Sequence, residues 1–207
     1  PPAYSAYERS FLGWLDIKEL TDPEFVTLYP SGEEHLGPTA CVIRNPENEK
    51  EYYIFQNRQD RTWYHANFLG HGLLVTHVDY SASLWTSNSV NNDPDHRRVL
   101  YVPADNGYNL TYRQSGESST DFWNTYRNDL FPGGLGVKDF TDTTTPSADV
   151  FTPSGKLGAP VYGITEHADG TITFAFLKES LTGVQGVTTE ENGTATEVYG
   201  INGRRLS

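Results

Sequence analysis

The sequence predicts a mainly β protein, a β-sandwich-like domain with long loops, preceded by a short N-terminal helix. Three observations carry that reading. From Thr21 onward the chain is a series of short apolar or alternating runs divided by Pro, Gly, Asn and Asp, the texture of strands and turns. Tyr, Phe and Trp make up 13% of the residues, which suits pleated, half-buried surfaces. Before Thr21 stands one segment with a helical stripe instead.

In that segment, "SAYERSFLGWLDI", Tyr7, Phe11, Trp14 and Leu15 recur at spacings of three and four, with Glu8 and Arg9 on the other side. This predicts a helix from about Pro2 to Trp14, entered through Pro1 and Pro2. A helix that short is marginal alone in water, so its stripe needs cover. Cover supplied within the chain indicates an independent module; an exposed stripe indicates a missing partner domain.

The strands follow in order. "EFVTLYP" alternates and stops at Pro30, Ser31 and Gly32. "TACVIRN", the polar turn "NPENEKE" and "EYYIFQNRQ" form a hairpin pattern. "GLLVTHVDY" is the most apolar run and predicts a central strand buried on both faces. "RRVLYVPAD" is a further strand, and "APVYGITEH" pairs with "TITFAFLKE" across a turn at Asp169-Gly170. Long connections over 81–95, 106–128 and 130–156 are of a length that is usually functional or ion-binding, and "STDFWNTYR" predicts a turn of helix in the second. The organisation expected is 1–20, a helical unit; 21–178, the β-rich domain; and 179–207, a linker opening a further small unit, in which "EVYGINGRRLS" is strand-like.

The net charge of −12 argues against nucleic-acid binding, which needs clustered Lys and Arg to displace counterions. No apolar run approaches the roughly 20 residues that span a bilayer. Cys41 stands alone, so no intrachain disulfide forms, and it reads as a small buried hydrophobe. With no Met, and with "PPAYSAYER" at its start, the chain reads as a piece of a longer precursor. Asn109 and Asn192 head N-glycosylation sequons.

Candidate chemistry concentrates between Gly70 and Asp105. His77 and Asp79 fall on one face of their strand and, with His96 and Asp105, are expected as a polar cluster, either a bonded core histidine or a metal site. Asn88, Asn91, Asn92, Asp93 and Asp95 offer the hard oxygens that calcium selects, in a spacing that is not an EF-hand; the same residues also build Asx turns. If calcium binds, it stabilises the folded state by linkage. Trp63, Trp85 and Trp123 are candidates for a sugar- or peptide-binding surface, or for anchoring long loops to the core. Neither H-E-x-x-H nor G-x-S-x-G occurs.

The ordered set "PPAYSAYERSFLGWLD", "EYYIFQNRQ", "GHGLLVTHVDYSASLWTSNSVNNDPDHRRVLYVPAD" and "DLFPGG...FTDTTTPSA" resembles the part that follows the zinc-binding core in secreted immune inhibitor A-like metallopeptidases, in the version found in Bacteroidetes-type bacteria. The resemblance runs from Pro1 to about Leu177. It implies that residues 1–20 close an upstream peptidase domain, that a β-rich domain follows, and that "EVYGINGRRLS" begins a small sorting or anchoring unit of an exported, secreted or cell-surface protein. It further implies that zinc belongs to the missing catalytic domain, and that the partners are that domain and a protein or peptide substrate. Gln56 stands where the family often has Glu, and no catalytic residue can be carried over because no position matches the catalytic motif. The other reading open at this point is a free-standing extracellular binding or adhesion module for carbohydrate or protein.

Overall fold

The computed structural model describes residues 4–59, 70–107 and 116–179, together with the backbone of 198–199 and 205–206. The chain opens with helix α1, Ala6–Phe11. It is shorter than the stripe predicts because local signals end it on both sides. The Ser5 side chain caps the helix in a reciprocal capping box with Glu8, whose carboxylate accepts from the Ser5 N–H at 2.7 Å. At the other end Gly13 takes φ 71°, and the N–H groups of Gly13 and Trp14 return to the carbonyls of Ser10 and Arg9, the Schellman closure.

The strands are β1 (Lys18–Glu19), β2 (Glu24–Leu28), β3 (Ala40–Asn45), β4 (Asn48–Arg58), β5 (Gly72–Asp79), β6 (Val99–Val102), β7 (Val161–Glu166) and β8 (Ile172–Phe176). They form a five-stranded sheet in the order β1-β3-β4-β5-β6 and a three-stranded sheet in the order β2-β8-β7. The two-residue strands β9 (Val198–Tyr199) and β10 (Arg205–Leu206) pair antiparallel within the stretch read as strand-like. All eight residues of β5 are buried, as its continuous apolar run predicts. Two elements lie outside the predicted set: β1, which runs parallel to β3, and the five-residue helix α2, Ala82–Thr86. Both are too short to carry a periodic signal. The expected turn of helix is α3, Ser119–Arg127.

The sheets face each other across one core. Phe55 and Val75 from the larger sheet meet Val26, Ile164 and Phe174 from the smaller, and Phe131 and Phe140 fill in from the connection after β6. The opposite face of the larger sheet is covered by the N-terminal segment: Ala6 and Leu15 pack on Ala40, Val42 and Ile54. Residues 4–20 are therefore tied to the sheet. The Ala6 N–H donates to Gln56 Oε1 at 2.9 Å, and the Leu20 N–H donates to the Val42 carbonyl at 2.9 Å.

Candidate functional site

The polar cluster grows from strand register. Tyr53 of β4 lies opposite His77 of β5, and Glu51 lies opposite Asp79, so side chains two residues apart on each strand share one face at the same end of the sheet. The connection between α3 and β7 closes over them from Phe151 and Thr152. His77 is stacked between two aromatic rings, with Tyr53 at 4.5 Å and Phe151 at 5.7 Å between centroids. His96 stacks on Phe151 in turn at 3.7 Å.

Each imidazole has its own carboxylate. His77 Nε2 bonds Glu51 Oε1 at 3.0 Å, and His96 Nε2 bonds Asp79 Oδ2 at 2.7 Å, an oxygen shared with Arg98 Nη1 at 2.7 Å. Glu51 is fully buried and accepts two further bonds, from the Phe151 N–H at 2.7 Å and from Asn45 Nδ2 at 2.9 Å. Burial acts to raise its pKa, yet the donors from His77, Phe151 and Asn45 outweigh burial and hold the carboxyl below the usual carboxylate range. An ionised Glu51 has no proton to give, so His77 Nε2 is the donor.

The sequence-predicted set is thus brought together in part. His77, Asp79 and His96 meet around Phe151, but the partner of His77 is Glu51 and not Asp79. Asp105 is not among them: β6 runs antiparallel to β5, so Asp105 lies beyond the far end, where its carboxylate accepts from the Gly107 N–H at 2.8 Å. Glu51, Tyr53, Arg98 and Phe151 escaped the sequence reading, although the alternation in "EYY" places Glu51 and Tyr53 on one face. With both ring faces of His77 covered and Glu51 accepting three bonds, His77 is a satisfied core histidine. Among the described residues no group of three or more His, Cys, Asp and Glu side chains is placed to hold a metal ion.

In the oxygen-rich loop two side chains, those of Asn91 and Asp93, are bonded within the chain. Asn88, at φ 53°, is the left-handed residue that closes α2, with the Asn88 and Ser89 N–H groups bonded to the Trp85 and Leu84 carbonyls. Asp93 Oδ1 accepts from the Asp95 N–H at 3.0 Å, an Asx turn. The Asn92 N–H donates to the Ser89 carbonyl at 3.4 Å. Asn91 is bonded to β6 through both ends of its amide.

Of the tryptophans, Trp85 anchors α2 to α1, its indole N–H donating to the Tyr7 hydroxyl at 2.5 Å and its ring lying 4.9 Å from Tyr80. Trp123 is exposed on α3 beside Phe122 and Tyr126. Trp63 and both sequon asparagines, Asn109 and Asn192, lie outside the described residues.

Two further features face solvent, the first without a sequence signal and the second on the stripe the sequence predicted. His71 Nδ1 bonds Glu166 Oε1 at 2.7 Å in an open cleft of about 670 Å³ walled by Arg127, Gly133 and Gly134. The second is the N-terminal apolar face. Tyr7 is half-buried against Trp85, whereas Phe11 is 68% and Trp14 62% exposed, with Tyr4 and Leu12 exposed beside them. Tyr4 and Trp14 touch edge to face at 5.8 Å. A shallow cleft of about 320 Å³, lined by Tyr7, Phe11, Ile17, Tyr52 and Tyr80, continues that face.

Among the described residues no helix is long and apolar enough to cross a membrane. Comparison with known protein families, curated proteins and solved structures finds no match.

Proposed function

We propose that the chain is the non-catalytic C-terminal portion of a secreted or cell-surface zinc metallopeptidase, a β-sandwich-like module that docks on the peptidase domain through the aromatic face of α1. The observation that carries the reading is the exposure of Phe11 and Trp14 on an element whose other side is pinned to the sheet by Ala6 and Gln56. Large aromatics clustered on a surface mark interaction sites, and these belong to the segment that the family resemblance assigns to the domain boundary. In this reading zinc and its general base sit in the peptidase domain, and peptide-bond hydrolysis by a zinc-activated water takes place there. The module supports that domain or presents a protein substrate to it. His77, the most metal-like residue by sequence, serves the core.

The test has two arms. The coding region upstream of Pro1 is read for H-E-x-x-H, and the extended and 207-residue chains are assayed on a protein substrate with and without chelator. The extended chain cleaves and chelator stops it, while the 207-residue chain is inert. Chelator-sensitive turnover by the 207 residues alone, or a signal peptide joined directly to Pro1, overturns the reading.

One observation favours a second reading, a free-standing binding module for carbohydrate or protein. Trp123 is exposed on α3, the helix that supplies Asn124 and Arg127 to the cleft at His71. Loss of glycan or protein binding in Trp123→Ala, with α1 untouched, selects this reading over the first.

A further inference from the structure

Among the described residues β6 is one edge of the five-stranded sheet, and its hydrogen-bonding pattern is fixed by register. The Asp79 N–H donates to the Arg98 carbonyl, so by antiparallel alternation Leu100 bonds inward to His77, while the N–H and C=O of Val99 and Tyr101 point away from the sheet. Such an edge is a template for another strand.

At Val99 the template is already filled. Asn91 Oδ1 accepts from the Val99 N–H at 3.1 Å and from the Arg98 N–H at 2.9 Å, and Asn91 Nδ2 donates to the Val99 carbonyl at 2.8 Å. One side-chain amide thus satisfies both main-chain groups of Val99, as the backbone of a paired strand would. At Tyr101 neither outward group has a partner among the described residues, and the side chain is exposed.

We propose that Asn91 is an edge guard: its amide takes the place of a neighbouring strand at Val99 and prevents β6 of a second copy of this chain from extending the sheet. The second copy is the occupant the edge fits best, because β6 is complementary to itself. In an antiparallel pair about a two-fold axis at Leu100, Val99 faces Tyr101 of the second copy and Tyr101 faces Val99. Each pair exchanges two N–H···O bonds and sets a β-branched side chain beside an aromatic one. Both pairs require the Val99 groups that Asn91 occupies. The sequence signal is visible afterwards: an Asn eight residues before an edge strand.

The test is sedimentation velocity across a hundredfold range of concentration on wild type, Asn91→Ala and Asn91→Ala with Val99→Pro. Asn91→Ala gains a concentration-dependent dimer that wild type lacks. The added proline removes the outward N–H at a position that makes no bond to β5, and restores the wild-type distribution. An Asn91→Ala chain that associates no more than wild type, whatever its melting temperature, overturns the proposal. Association that survives Val99→Pro overturns it equally. Should Asn91→Ala fail to fold, amide exchange in wild type decides: the Val99 amide exchanges at least about tenfold more slowly than that of Tyr101, and equal rates contradict the guard.

Discussion

Glu51 Oε1 and His77 Nε2 lie 3.0 Å apart at adjacent β4 and β5 positions, and both residues are buried. The pair is flanked by the Phe151 N–H and the Asn45 amide, so removing the carboxylate strands three donors at once. Glu51→Ala is expected to cost about 3–5 kcal/mol, the range for breaking a buried pair. Glu51→Gln retains the volume and costs less. Urea unfolding measures both, and a loss below about 1 kcal/mol for the alanine variant contradicts the assigned role.

The same pair sets an acid limb. The folded-state pKa of Glu51 is depressed, so its contribution is present above the unfolded value and is lost as pH falls through the folded one. Stability therefore declines on acidification below about pH 4.5, and Glu51→Gln flattens that decline. Equal acid slopes in the two proteins contradict the assignment.

Gln56 carries a third prediction. It accepts from the Ala6 N–H at 2.9 Å and donates to Ser31 Oγ at 2.9 Å, while Ser31 gives its own proton to the Asn57 carbonyl. A carboxylate here accepts from Ala6 but meets Ser31 with an oxygen lacking a proton. Gln56→Glu is expected to lose about 1–3 kcal/mol at neutral pH and to recover part of it near pH 4, where a protonated Glu donates again. A variant as stable as wild type at both pH values rules this out.

The loop from Asn88 to Asp95 is testable with calcium. The Asn91 amide is bonded to β6 and Asp93 Oδ1 accepts from the Asp95 N–H, so these two side chains are engaged without an ion. The melting temperature is expected to be the same in millimolar calcium and in chelator; a rise with calcium establishes an ion site in the loop. Asn88→Gly should be neutral, since Gly accepts the left-handed conformation, and Asn88→Val should cost about 1 kcal/mol or more.

Cys41 is buried in the core, and burial pushes its thiol well above the usual range. It is expected to resist a thiol reagent in the native chain and to react once per chain on unfolding. Fast native labelling contradicts the packing around β3.

Much of the scaffold was legible in the sequence, because strand alternation, the Asp169-Gly170 turn and the apolar run of β5 are local signals. The N-terminal helix was legible as an element, but its apolar stripe overstated its length, because the Ser5-Glu8 capping box and Gly13 set its ends. The candidate site was harder. His77 and Asp79 share a face by period two, but their partners Glu51 and Phe151 stand 26 and about 75 residues away, so only register and loop closure bring them in. Asp105 was misplaced for a related reason: β6 carries the chain from His96 to the opposite end of the sheet before Asp105 is reached.

The most direct measurement of the central claim is oxidative footprinting of Phe11 and Trp14, read by mass spectrometry, in the 207-residue chain and in the same chain extended by the residues encoded upstream of Pro1. Both side chains are exposed here, so both oxidise readily in the shorter chain. Docking of an upstream domain on α1 predicts a fall of about tenfold at these two residues, with Trp123 on α3 unchanged. Equal oxidation of Phe11 and Trp14 in both chains contradicts the proposed role of the α1 face.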